Sequence, residues 1–472
     1  MRYSNRGSFR QQASFVRRQF LQDGDLPFTD VLTEEGITQA LTTIHAWLDR
    51  IFTPLITLWV FLGQVLSADH SCRAAVARLI AHRVSRGQKP CSAQTGAYCQ
   101  ARERLPEQFF STVACLVGRS LDAKADYRWL WKGRRVYLFE GTTVTLPDTP
   151  ENQQAYPHVY NQKPGVGFPI ARIGAIISLS CGAIMNLGVC RYAGKGPGEV
   201  SLLRELWDVL GSGDVLLADR LMANWTNLLL LEQRGVAVVG RLNKANRTAD
   251  FRRGKRLGHQ DHLVRWFKPT SIRSLDRESY QALPESISVR ETKIRVTQVG
   301  FRTKAIVVVT TLLDPRQATR EELATLYRAR WNNELDLRCL KSTMQMHDLR
   351  CKTPELVRKE VWTHVLAYNL IRTVMAQAAA THDRLPRSIS FKGALQTLEA
   401  FQPLIEPQGA PDPAHRQRLY HDLLQAIATH RVGDRPDRFE PRVKKRRCNH
   451  YGWLTRPRSE VKRKMAKGVT EI

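Results

Sequence analysis

Three acids in this chain stand where chemistry on phosphate esters would need them. Glu140 closes the apolar run VYLF at residues 136–139 and is followed at once by Gly-Thr-Thr. Asp219 closes DVLLAD, in which residues 215, 217 and 219 share one face and only Asp219 lies at the carboxyl end, where ligands of α/β sheets gather. Asp214 opens that run on the opposite face and reads as a solvated turn residue. The third acid, Glu334, lies in LYRARWNNELDLRCLK. At about 100° per residue, Tyr327 at 0° places Arg330 at about 300°, Glu334 at about 340° and Lys341 at about 320°, a single stripe about 60° wide. Asp336, the nearest other acid, points about 160° away from Glu334.

Each signal alone has an ordinary explanation. A strand-end acid can cap the next turn, and a charged helical stripe can be a solvated face. One acid among two bases and a tyrosine, directly after a buried strand, suits a metal ligand beside phosphate contacts. Three carboxylates with no Cys/His cluster select Mg2+ or Mn2+ rather than zinc. Two such ions about 4 Å apart activate a nucleophile and stabilise the leaving oxygen in phosphoryl transfer. The residues therefore describe a metal-dependent nuclease or strand transferase.

Bulk composition points to the substrate. Seventy-two Lys and Arg against 44 Asp and Glu leave a net charge of +28, which calls for a polyanionic partner. Membrane surface is the competing use of basicity, but the most apolar run, FTPLITLWVFLGQVL, carries Thr, Gly and Gln and falls short of the roughly 20 residues a span needs. It reads as a buried helix around 54–66. The polar N-terminus argues against secretion. Nine cysteines with no C-x-x-C pair read as reduced thiols of a cytosolic protein.

These residues need a scaffold, and the hydrophobic pattern supplies one. Residues 1–125 read as a helical N-terminal region for DNA binding, with periodicity interrupted at Pro106. From about 135 the pattern changes to strands: RVYLFE, ARIGAIISLS and AIMNLGVCRY form a three-strand meander. A helix closed by Gly211, the strand DVLLAD, a helix ending at Gly235 and the strand VAVVGRL follow. That order is a ribonuclease-H-like mixed α/β sheet, whose first part spans 126–243. Residues 244–303 are basic and uneven and read as a β-rich insertion. The second part of the core, 304–380, opens with TKAIVVVTTLLDP; Thr319 followed three residues later by Glu322 is a capping box for the next helix. Residues 381–472 form a basic C-terminal region whose tail interleaves Lys444, Lys445, Arg446 and Arg447 with Tyr451, Trp453 and Leu454, a composition suited to DNA phosphates and bases.

The spacing Tyr327-x2-Arg330-x3-Glu334-x6-Lys341 resembles the C-terminal signature of the insertion-sequence-four family of DDE transposases. GTTVTLPDTPENQQAYP, GEVSLL, GDVLLADR and VVTTLLDP resemble its other blocks in the right order, over roughly residues 60–460. The resemblance implies a DNA transposase catalysing cut-and-paste transposition: hydrolysis at the element end, often through a hairpin, then attack of the freed 3′-hydroxyl on target DNA. It implies double-stranded DNA, both element ends and target, as partner and a homodimer on that DNA. Glu140, Asp219 and Glu334 fall on the family's metal-binding acids; Tyr327, Arg330 and Lys341 fall on its residues that hold end phosphates. A cytoplasmic, nucleoid-associated protein is expected.

Two positions depart from the family pattern. The family's first acid is Asp, whereas Glu140 is longer by one methylene, which moves the carboxylate by about 1.5 Å in a site that tolerates roughly 0.5 Å. A catalytically impaired relic or repressor, or a nuclease without strand transfer, are the alternatives this leaves open. Asp148, in the LPDT block, lies beyond a strand's length and is not expected to substitute. Some members stack a flipped base on a Trp near the strand before the signature helix. TKAIVVV has no aromatic, and Trp266 in the insertion is the candidate stand-in.

Overall fold

The computed structural model describes residues 6–23, 25–47, 50–159, 163, 165–194, 198–270, 272, 277–296, 305–405, 412–433 and 453–467. Six helices come first: α1 (Arg6–Gln19), α2 (Glu34–Leu41), α3 (Pro54–Leu66), α4 (Cys72–Ser85), α5 (Gly96–Arg104) and α6 (Glu107–Ala123). The apolar run is α3, buried along most of its length, with Thr53 accepting from the Ile56 amide as its N-cap. Pro106 separates α5 from α6, since a proline cannot donate within a continuing helix.

The core then alternates strands and helices: β1 (Val136–Thr145), α7 (Pro150–Ala155), β2 (Ile170–Ser178), β3 (Ile184–Arg191), α8 (Glu199–Leu206), β4 (Val215–Ala218), α9 (Trp225–Gln233) and β5 (Ala237–Arg241). β6 (Lys255–Gly258), β7 (Asp261–Phe267), α10 (Arg277–Ala282) and β8 (Ser286–Arg295) lie in the 244–303 segment, and β9 (Ala305–Thr310) precedes α11 (Arg320–Ala329) and α12 (Trp331–Arg338). Helices α13 (Pro354–Thr381), α14 (Phe391–Ile405), α15 (Pro413–Thr429) and α16 (Arg458–Ala466) complete the described chain.

The nine strands among the described residues form one mixed sheet, in the order β3-β2-β1-β4-β5-β9-β8-β7-β6. β1, β2 and β3 are an antiparallel meander, β4 and β5 run parallel to β1, and β9 returns antiparallel to β5. This is the ribonuclease-H-like order expected from the sequence, within a mixed α/β architecture. The strands at 255–295 continue the same sheet through β8, which pairs with β9. The far edge is β6, four residues long, with Lys255 and Arg256 exposed.

Both faces of the central strands are covered, which is why they read as continuous apolar runs. Alternation sorts their side chains. Val136 and Leu138 of β1, Val215 and Leu217 of β4 and Val239 of β5 form one core with Leu323 and Leu326 of α11. Tyr137, Phe139, Leu216, Ala218 and Val238 face the larger core on the other side, which includes Leu202 of α8, Leu228 of α9 and the buried residues of α6 and α13. On that second face, Gly141, Gly174 and Gly188 stand in register across β1, β2 and β3. A Cβ added at Gly188 would sit 2.9 Å from Leu202, and one at Gly141 would sit 2.9 Å from the Glu199 carboxylate, so this row lets α8 lie directly on the sheet.

The 28-residue α13 is buried nearly all round and ties the helical region to the sheet. Its Asn369 accepts from the Ile184 amide at 2.8 Å and donates to the Ile184 and Ala114 carbonyls, each at 3.0 Å. Helix α6 comes close enough for this only because residue 118 is glycine: a Cβ there would lie 2.3 Å from the Ile184 carbonyl oxygen.

Candidate active site

Glu140 continues the face begun by Val136 and Leu138, and Asp219 continues that begun by Val215 and Leu217. The parallel register pairs Val136 with Val215 and Leu138 with Leu217, and Glu140 and Asp219 each lie two residues beyond the last of these pairs on neighbouring segments of chain. Both project from the face that α11 covers. Asp219 lies one residue past β4, and its Oδ1 accepts from the Leu221 and Met222 amides at 2.8 and 3.2 Å. It therefore also organises the turn into α9. Asp214 is a turn residue that caps the Gly211 amide at 2.7 Å; it is half-buried rather than solvated, and burial raises its pKa.

The signature segment differs from the straight helix that periodicity predicts. The capping box forms: Thr319 accepts from the Glu322 amide, and Glu322 accepts from the Thr319 amide. At Arg330, however, i to i+3 bonds replace the α-helical ones, from the Arg330 amide to the Tyr327 carbonyl and from the Asn333 amide to the Arg330 carbonyl. Residues 339–343 then form a π-helical turn. The 100° rule fails across these two irregularities, yet the four signature side chains still meet the same strand face.

Arg330 is the joint between them. Its Nη1 donates to Glu140 Oε2 and its Nη2 to Glu334 Oε1, both at 3.0 Å, so one guanidinium bridges the acid of β1 and the acid of α12. Tyr327 is a near neighbour and, with Glu140 and Glu334, raises the Arg330 pKa against the effect of burial. Burial raises the Tyr327 hydroxyl, and the charges of Arg330 and Arg241 oppose that rise. Lys341 Nζ donates to Thr142 Oγ1 at 3.1 Å, two residues along β1 from Glu140 and on the same face; burial lowers its pKa.

Glu140 is pushed up to about 7, by burial first; Arg330 opposes this, while Glu334, Asp219 and Glu199 add to it. All three expected acids thus lie within one electrostatic neighbourhood. They do not close into a ready coordination shell: among the described residues no group of three or more His, Cys, Asp or Glu is placed to hold a metal ion together. The donor set still fits a hard divalent cation, because it offers carboxylate oxygens only and a cation, the Arg330 guanidinium, already joins two of them.

Several surroundings were not visible in the sequence. Glu199, over Gly141 on the opposite face of β1, adds to the field on Glu140. Arg241 ends β5 near Tyr327. Asp336 does face away from Glu334, but it is buried and bound by Arg372 and Arg387. Trp266 is corrected as a stacking residue: it is 3% exposed, and its Nε1 donates to buried Glu291 at 2.8 Å. The indole open to solvent beside the site is Trp331, next to Arg330. Lys444, Lys445, Arg446, Arg447 and Tyr451 lie outside the described residues, whereas Trp453 and Leu454 are exposed. The eight described cysteines are free thiols. No helix among the described residues is long and apolar enough to cross a membrane.

Comparison with known proteins identifies the family. The chain is 27% identical over 399 residues to the transposase InsG for insertion sequence element IS4 of Escherichia coli, covering 84% of this chain and 85% of that protein. Among solved structures it resembles a piggyBac transposase synaptic complex with hairpin DNA, at a TM-score of 0.41 and 9% identity over 90% of this chain and 87% of that one. The family described as Transposase DDE domain matches residues 131–370, the segment that carries Glu140, Asp219, Tyr327, Arg330, Glu334 and Lys341, and the chain belongs to the DDE transposases.

Proposed function

We propose that this protein cuts DNA at the ends of an insertion sequence and joins the freed 3′-ends to target DNA, with Glu140, Asp219 and Glu334 as ligands for Mg2+ or Mn2+. The observation that carries this reading is the Arg330 bridge between Glu140 and Glu334 beside Asp219, on a chain of net charge +28. Bound divalent ions would supply activation of water or of a 3′-hydroxyl and stabilisation of the leaving oxygen. Arg330 would exchange its carboxylate partners for an end phosphate, keeping its fork of donors satisfied. Lys341, held at the β1 face by Thr142, and Tyr327 would take neighbouring phosphates. Two copies would act together on paired ends, with chromosomal DNA in the cytoplasm as substrate.

A catalytically impaired DNA-binding relic is the second reading, favoured by the longer side chain at residue 140 and by the unclosed carboxylate set. Supercoiled plasmid carrying the cognate ends, incubated with Mg2+, separates the two. Cleavage that Glu334→Gln abolishes while end binding persists supports the transposase; binding without cleavage leaves the relic.

A further inference from the structure

Helix α12 has little of its own to hold it in place. It is eight residues long, starts at the tightened turn at Arg330 without a side-chain cap and runs into the π turn at 339–343. A helix this short is marginal in isolation, so its position has to come from tertiary contacts. The strongest lies on the side opposite Glu334. Asp336 is 1% exposed, and Arg387 Nη1 donates to its two carboxylate oxygens at 2.7 and 2.6 Å. Arg372 Nη2 donates to the same Oδ1.

Both arginines are themselves fixed. Arg387 gives Nε to the Leu179 carbonyl at 2.8 Å and Nη2 to the Ser178 carbonyl at 2.6 Å, at the end of β2. Ser178 pairs with Tyr137 of β1, and the Leu179 amide donates to the Val136 carbonyl, so these contacts reach the strand that carries Glu140. Arg372, on α13, donates Nε to the Tyr368 hydroxyl at 2.8 Å and lies against the rings of Tyr368 and Phe391. Its guanidinium also lies over Gly182 in the β2–β3 turn, where an added Cβ would come within 2.8 Å.

We infer that Asp336, clamped by Arg372 and Arg387, is the positioning residue that fixes the depth and rotation of Glu334 relative to Glu140. This rests on the reading of Glu334 as a metal ligand. One carboxylate on the back of α12 is tied through Arg387 to the end of β2, which pairs with the strand that carries the first acid, and through Arg372 to α13. The two acids are thereby held in a common frame, although 194 positions separate them in sequence. Misplacement of a reacting group by about 1 Å costs about a hundredfold in rate.

The experiment uses the full-length protein bound to end DNA, with Arg387→Lys as the primary variant because it keeps the charge but loses the fork. Asp336→Asn is the second variant; it removes the buried charge that faces both guanidiniums, and if it does not fold, Arg387→Lys decides. Cleavage rate, end-DNA affinity, thermal melting and Mn2+ affinity, the last from the free-ion electron paramagnetic resonance signal, are measured together. The expected result is cleavage slower by about a hundredfold, Mn2+ affinity weakened by about tenfold, and end-DNA affinity and cooperative melting retained. Cleavage or Mn2+ affinity unchanged in a folded variant would overturn the inference. Glu334→Gln in the same assay tests the underlying reading: if it leaves Mn2+ binding and cleavage intact, the ligand assignment falls independently of the clamp.

Discussion

Glu140→Gln offers a direct test of the electrostatics. An ordinary glutamate titrates near 4.5, and Glu140 is pushed up to about 7 by burial, with Arg330 opposing and Glu334, Asp219 and Glu199 adding to the rise. Below about pH 4.5 the folded and unfolded chains both carry the proton, and the group adds no pH dependence. Between 4.5 and 7 the unfolded chain ionises while the folded one keeps its proton, so stability falls as pH rises. Above about 7 both are ionised and the full penalty applies, about 3 kcal/mol at 1.36 kcal/mol per pH unit. Its side chain is 26% exposed, so screening makes this an upper value. Glutamine has the shape and charge of the protonated acid. Metal-free Glu140→Gln is therefore expected to match the wild type near pH 4.5 and exceed its stability by up to about 3 kcal/mol at pH 8. Urea unfolding in EDTA across that range measures it. Parallel profiles for the two proteins would mean that Glu140 does not titrate there, and the account of Glu140 as a carboxyl raised by burial would be wrong.

Lys341→Ala is expected to weaken end-DNA binding and to lower the slope of log affinity against log salt by about 0.9, one phosphate contact, without changing Mn2+ affinity. Loss of Mn2+ affinity with an unchanged slope would remove Lys341 from the phosphate role. Asn369→Ala leaves the amide and carbonyl of Ile184 and the carbonyl of Ala114 without their buried partner; it should cost about 2–5 kcal/mol in urea unfolding. A cost under about 0.5 kcal/mol, the range of an ordinary surface change, would show that Asn369 does not tie α6 to the sheet.

The meander, the β-α-β-α-β order and the capping box at Thr319 were legible because each rests on local pattern: apolar runs of strand length, glycine stops at 211 and 235, and a Thr-x-x-Glu start. Alternation also fixes the faces from which Glu140 and Asp219 project, but β1 runs on through Gly-Thr-Thr to Thr145, so Glu140 lies within the strand and not at its end. What the sequence hid is tertiary. The tightened turn at Arg330 and the π turn at 339–343 have no periodic signature, and only a folded sheet can bring Arg330 onto Glu140. Trp266 looked available because its partner Glu291 lies 25 residues away on another strand. That Asp336 is buried was hidden because both its arginines come from beyond the signature, on α13 and the turn after it.

The sheet's far edge has a consequence for solubility and for how copies can meet. Among the described residues β6 pairs on one side only, with β7, and has no strand on its other side. An open edge is a template for strand addition from another chain, and proteins guard against it with short strands and charged side chains. β6 has both: it is four residues long, begins with exposed Lys255 and Arg256, and follows exposed Arg252 and Arg253. Two such edges repel each other, so sheet-to-sheet fusion between copies is disfavoured. Positive charge placed there is compatible with a DNA substrate, and it keeps copies of the chain from polymerising through their own β-structure.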